Sequence, residues 1–140
     1  MQEDQIKYKN LILALLSVFF ITSNSEASSK IFKVLFVIPS TVYRTLAAET
    51  KSYITRELRA LRDVEQIEKV PRLDHFFISI IPVCINLSNG QRAGIALSFV
   101  FEKEATIEHN VLIGAPDELK TLCEKIIAYF DTYWLGEKKN

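Results

Sequence analysis

Asn89-Gly90 stands between two β-type runs, Phe76–Leu87 (FFISIIPVCINL) and Arg92–Phe101 (RAGIALSFVF). Asn-Gly is the favoured two-residue turn of a β-hairpin, because both residues tolerate positive φ and the turn's twist matches that of the strands. The pair commits the middle of the chain to an antiparallel hairpin. In the return strand Ile95, Leu97, Phe99 and Phe101 share one face, while Ala93, Ala96, Ser98 and Val100 take smaller, mixed positions. That apolar face needs cover from elsewhere in the chain. Pro82, within the outgoing strand, has no N–H to give to a ladder, which places it at a sheet edge or a bulge.

Two amphipathic helices supply the cover. Leu46, Ala47, Thr50, Ile54, Leu58 and Leu61 recur at three- and four-residue steps, with Ser40, Thr41 and Thr45 as candidate caps and a stop near Arg62-Asp63. Pro116-Asp117-Glu118 opens a second helix, whose stripe is Leu119, Leu122, Cys123, Ile126, Ile127, Phe130 and Trp134, ending at Gly136. Ile31–Ile38 is a nearly continuous apolar run closed by Pro39, as expected of a strand central in its sheet or covered on both faces. Val64, Ile67 and Val70 mark a short strand, Glu102–Asn110 reads as a charged loop, and Val111–Ile113 as a last short strand. The order is β-α-β-β-β-(β)-α. The first β-α-β unit is expected to be a right-handed crossover with parallel strands. The fold class is α/β, an α+β sandwich: a mixed sheet of four or five strands with two helices.

The first 29 residues set the destination. Lys7 and Lys9 precede the apolar run Leu11–Ile21 (LILALLSVFFI) and a small, polar tail, with Ser25-Glu26-Ala27 offering small side chains at a cleavage site. That is the order of a secretory signal peptide, with cleavage expected after Ala27. An apolar helix of this length spans roughly 16 Å, whereas a bilayer core needs about 20 residues. A stable span after cleavage is not expected. Residues 1–27 are read as the signal and 28–140 as one globular domain, exported to the periplasm or secreted.

The chain carries 17 Lys and Arg against 17 Asp and Glu, and 49% of it is hydrophobic. This balance speaks against a nucleic-acid binder, which needs a clustered basic surface, and against disorder. Cys84 and Cys123 are the pair available for a disulfide in an oxidising compartment. The alternative, favoured by their core-type neighbours, is two buried thiols.

Catalytic patterns are not found. There is no GxSxG, GxGxxG or phosphate-binding P-loop, and the four glycines are too scattered to cradle a ligand. His75, His109, Cys84 and Cys123 have no metal-ligand spacing, so no metal and no cofactor are expected. Asp74-His75 and Glu108-His109 are acid-imidazole neighbours, but adjacent residues on a strand point to opposite faces. One stripe remains: Arg44, Lys51, Arg59 and Arg62 align beside the apolar face of the first helix, and can hold an anion, a lipid head group or an acidic partner. The plainer reading is a solvated helix flank. Asn86-Leu87-Ser88 matches a glycosylation sequon, relevant only in a eukaryotic host.

A strand, a helix closing in YITRELRALRDVEQIE (Tyr53–Glu68), an alternating hairpin and a last helix LCEKIIAYFDTYWL follow one another. This order resembles the small α/β domains of bacterial envelope proteins. Examples are the amino-terminal domain of the Tol-system propeller protein and the periplasmic domain of curli-secretion lipoproteins. The resemblance covers most of residues 31–135 and implies a docking module. The chain departs from those families in having no lipid-attachment cysteine and no propeller. The expectation is therefore an exported, non-enzymatic domain that docks an envelope protein. The alternative is a small-molecule or anion-binding domain using the basic stripe.

Overall fold

The computed structural model describes residues 30–69 and 72–136. The signal-type segment 1–27 and Val70 lie outside the described residues. The elements are β1 (Phe32–Val37), α1 (Arg44–Ala60), β2 (Val64–Ile67), β3 (Phe76–Asn86), β4 (Arg92–Lys103), β5 (Thr106–Gly114) and α2 (Leu119–Tyr129). A π-helical segment, Phe130–Leu135, continues α2. The five strands form one mixed sheet in the order β2-β1-β3-β4-β5. β1 runs parallel to both β2 and β3, and β3, β4 and β5 form an antiparallel meander. The α+β architecture is that expected from the periodicities.

Both helices lie on the same face of the sheet. Val34 of β1, Phe76, Ile78 and Ile80 of β3, and Ile95, Leu97, Phe99 and Phe101 of β4 form one buried cluster. Leu46, Ile54 and Leu58 of α1 and Leu122, Ile126 and Ile127 of α2 complete it. The alternation of β4 therefore reads correctly. At the base of the core, Phe76, Phe101, Phe130 and Trp134 meet in edge-to-face and tilted contacts, with ring centroids 5.3–6.4 Å apart. Thr50, the one buried polar side chain among the described residues, donates its hydroxyl to the Leu46 carbonyl at 2.7 Å. Burial without a lost hydrogen bond follows.

Several local expectations are corrected. β1 is central, but Lys33 is exposed, so the strand is covered on one face and not two. The turn at Asn89-Gly90 is a three-residue loop. Gly90 donates to the Leu87 carbonyl at 2.9 Å, Leu87 donates to that of Gln91 at 2.8 Å, and Gly90 alone adopts φ 81°. This is the type I turn followed by a left-handed glycine, the next most common hairpin after the two-residue form. α1 has no side-chain cap; Thr41 Oγ1 instead accepts from the Tyr43 amide, one residue before the helix.

Pro82 sits opposite Leu97 in the middle of β3. β1 pairs with β3 only as far as Ser79, so at Pro82 the strand has a partner on one side alone. The missing N–H points to that vacant side, which is the edge reading; the bulge lies elsewhere, between Ile85 and Asn86. The largest correction is Glu102–Asn110. It is no loop: β4 continues to Lys103, Glu104-Ala105 makes a tight turn with Glu104 at φ 56°, and β5 starts at Thr106.

Phe101 is fully buried among Phe99, Phe130 and Trp134. Phe101→Ala is expected to cost about 3–5 kcal/mol, the range for emptying a buried aromatic site. A urea-unfolding midpoint that barely moves would show that this cluster is not the core.

Candidate functional site

With both helices on one face, the other face of the sheet is left open. Over the stretch facing Ile81–Ile85, β4 contributes only small residues to it, Gly94, Ala96 and Ser98. The paired residues on its flanks are large: Ile81, Val83 and Ile85 on β3, and Val111 and Ile113 on β5. Small residues between two aliphatic rows make a shallow apolar groove along β4. Ile81 is 44% exposed, Val111 50% and Ile113 67%, so this is surface and not core. The apolar character continues toward β1 through half-buried Val100, Val37, Phe77 and Leu35. Contiguous exposed apolar surface is uncommon on folded domains, which makes this face the candidate site. Gly94 is required at the groove end, since a Cβ there would lie 2.9 Å from the Gly114 carbonyl oxygen.

β5 is also an edge strand, and its two faces differ. The residues of the tight turn, Lys103 and Thr106, pair directly. In a two-residue hairpin that pair exchanges both hydrogen bonds, and alternate pairs do so thereafter. Thr106, Glu108, Asn110, Leu112 and Gly114 therefore bond to β4, while the backbone groups of Ile107, His109, Val111 and Ile113 point out of the sheet. Among the described residues no strand pairs with that outer side. The same four residues present their side chains on the open face. His109 Nε2 lies 2.8 Å from Ser98 Oγ there.

On the helix face Glu108 is the anchor. Its carboxylate accepts from the Tyr129 hydroxyl at 2.5 Å, the Asn110 amide at 2.6 Å and Trp134 Nε1 at 2.9 Å. These donors reach it from β5, from α2 and from the π-helical segment. The hydrogen bond from Tyr129, above all, holds the Glu108 carboxyl below its ordinary value of 4.5; the same bond raises Tyr129. Three donors hold this carboxylate in place and favour its ionised form. Beside it a cleft of about 410 Å³ opens along the edge, lined by Phe99, Glu108, Leu112, Lys125 and Tyr129 among others. Glu108 and His109, neighbours in sequence, lie on opposite faces as strand geometry requires. Asp74 and His75 precede β3 in a turn, where that argument does not apply: His75 Nε2 is 3.6 Å from Asp74 Oδ1, and its Nδ1 accepts from the Arg72 amide at 3.1 Å.

The basic stripe is placed on the outer surface of α1. Arg44, Lys51 and Arg59 are exposed, and Arg62 is exposed beyond the helix end. Arg44 and Arg59 stand roughly 22 Å apart along the axis at 1.5 Å per residue. The four cations do not converge on one point. Lys51 and Arg59 line a shallow depression with Arg56, whose guanidinium is already held by Glu57 at 2.8 Å. Cys84, half-buried on β3, and Cys123, buried on α2, are both free thiols, with no disulfide between them. Burial pushes the Cys123 thiol up to about 12. Among the described residues no three His, Cys, Asp or Glu side chains gather to hold a metal ion. No helix among them is long and apolar enough to cross a membrane.

Sequence reasoning missed Glu108 as an anchor and β5 as an edge. The signal present was alternation: Ile107, His109, Val111 and Ile113 on one face against Thr106, Glu108 and Asn110 on the other.

Because the folded-state value of Glu108 lies below the unfolded one, its carboxylate contributes stability above the unfolded value. That contribution is lost as pH falls through the folded one. The melting temperature of the native chain should drop between about pH 5 and pH 3, and Glu108→Gln should flatten that drop while lowering stability at pH 7. Parallel melting curves for the two proteins would show the anchor to be unimportant.

No protein-family model matches the chain, and no curated protein matches it. Among solved structures, it is similar to a PelC dodecamer from Paraburkholderia phytofirmans at 13% identity and a TM-score of 0.41, covering 71% of this chain and 82% of that one. It is also similar to the crystal structure of an uncharacterised protein at 8% identity and a TM-score of 0.36, covering 79% and 92%. Likenesses this distant say nothing of what the chain does.

Proposed function

We propose that the protein is an exported, non-enzymatic domain of the cell envelope that docks an extended segment of another chain along β5. The observation that carries this is the unpaired outer side of β5, bordered on one face by the apolar groove and on the other by the Glu108 cleft. A strand added at such an edge gains main-chain hydrogen bonds, and its alternate side chains extend the apolar face. Export is supported by the order of residues 1–27, and docking by the resemblance to envelope modules of the same element order.

The experiment is in-cell crosslinking with a photoreactive residue introduced at Val111, and at Lys51 on the outer surface of α1 as the comparison site. Capture of one dominant envelope protein or protomer from Val111 and not from Lys51 supports the reading; equal capture from both, or none, overturns it. The mass of the recovered protein tests the other half, with an amino terminus at Ser28 expected. A chain that keeps residues 1–27 would contradict cleavage.

A further inference from the structure

We infer that the segment docked at β5 is the β5 strand of a second copy of this chain, giving an antiparallel two-fold dimer centred on Asn110. This rests on the docking reading and names its partner.

Native edge strands are blunted against such pairing by shortness, lysine, proline or bulges. β2, at the other edge, is only four residues long. β5 has none of these; its one inward charge, Glu108, a further protection of this kind, is taken up by three donors on the helix face. Thr106–Gly114 contains no Lys, Arg or Pro, and its nine pairs with β4 run without a register shift. An edge this regular and this apolar is made to be covered.

The sequence of β5 is complementary to itself. With the two-fold at Asn110, Ile107 lies opposite the partner's Ile113, and His109 opposite the partner's Val111. All four residues with outward backbone groups then meet outward groups, as a hydrogen-bonded antiparallel ladder requires. Exposed Ile107, Val111 and Ile113 each gain a cross-strand neighbour from the other copy, and the two open faces become one. Charge disfavours two of the neighbouring registers. Centring on Glu108 would set carboxylate against carboxylate, and centring on His109 would pair imidazole with imidazole. At Asn110, Glu108 faces the partner's Leu112, whose cleft carries Lys125, so opposite charges approach one another. Such an interface is isologous and closes at two copies.

The edge is about 30 Å long at 3.4 Å per residue. That is small for a permanent interface, so the dimer should be concentration-dependent.

The test is sedimentation equilibrium of the protein recovered from cells expressing the full chain, over a series from low micromolar to millimolar. A reversible monomer–dimer equilibrium is expected. Ile107→Lys and Ile113→Glu, each at an exposed position, should weaken it by about tenfold or more. The double variant should recover dimer, because the register sets each new cation against a new anion. Val111→Pro, which removes an outward N–H and leaves the β4 ladder intact, should give monomer with an unchanged far-ultraviolet circular dichroism spectrum. A chain that stays monomeric throughout, or a dimer indifferent to the single substitutions, or a double variant no better than the singles, overturns the inference. Capture of a different envelope protein from Val111 in cells, with a monomeric purified chain, would reject the second copy while keeping the docking reading.

Discussion

The structure depends on the placement of both helices on one face of the sheet. α1 packs against β2 and β3, α2 packs against β5, and the two helices touch one another. A five-stranded sheet with one covered face can bury only alternate residues, and the buried set here is one continuous cluster. The opposite set has to be tolerated in water. On most of the sheet that set is polar, small or partly shielded; on β3 and β5 it is aliphatic and exposed. The groove is thus a direct consequence of where the helices are.

Glu108 joins the covered face to the edge. Tyr129 ends α2, and Trp134 lies one further turn along in the π-helical segment. A regular α-helix would carry the apolar stripe straight through Trp134. The π-helical widening lets Leu135 take the fully buried place and leaves Trp134 half-buried, with its N–H on the carboxylate. Two of the three donors, Tyr129 and Trp134, tie β5 to the end of α2 and its π-helical continuation, and the strand pairs with β4 without a register shift. A strand held in that way presents its outer backbone groups in register, and the docking proposal uses that order.

Much of this layout is legible in the residues. Leu46, Thr50, Ile54 and Leu58 mark α1 because the helical period is long enough to repeat four times. Ile95 to Phe101 mark β4 because every second residue is large. Glu102–Asn110 is opaque for a physical reason: β5 runs along the rim of the core, where the helix-side residues Thr106, Glu108 and Asn110 are polar and Glu108 meets the tyrosine and tryptophan donors. Ile107, on the other face, is apolar and exposed. A rule that equates apolar with inward reads such a strand as a loop. The hairpin at Gly90 is partly legible: the glycine and its positive φ follow from Asn-Gly, but the loop length depends on Leu87 pairing with Gln91. Of the basic stripe, Arg44, Lys51 and Arg59 lie on α1 and Arg62 beyond its end, and helix rise alone spreads Arg44 and Arg59 over about 22 Å.

The central claim is that Thr106–Gly114 is a strand paired on its inner side, whose outer side is open to another chain. Residue-resolved amide hydrogen exchange by nuclear magnetic resonance tests it most directly. In dilute protein Glu108, Asn110 and Leu112 should be protected, and Ile107, His109, Val111 and Ile113 should exchange quickly. Raising the protein concentration should slow the second set and leave the first unchanged. Uniformly fast exchange across the segment would contradict the account.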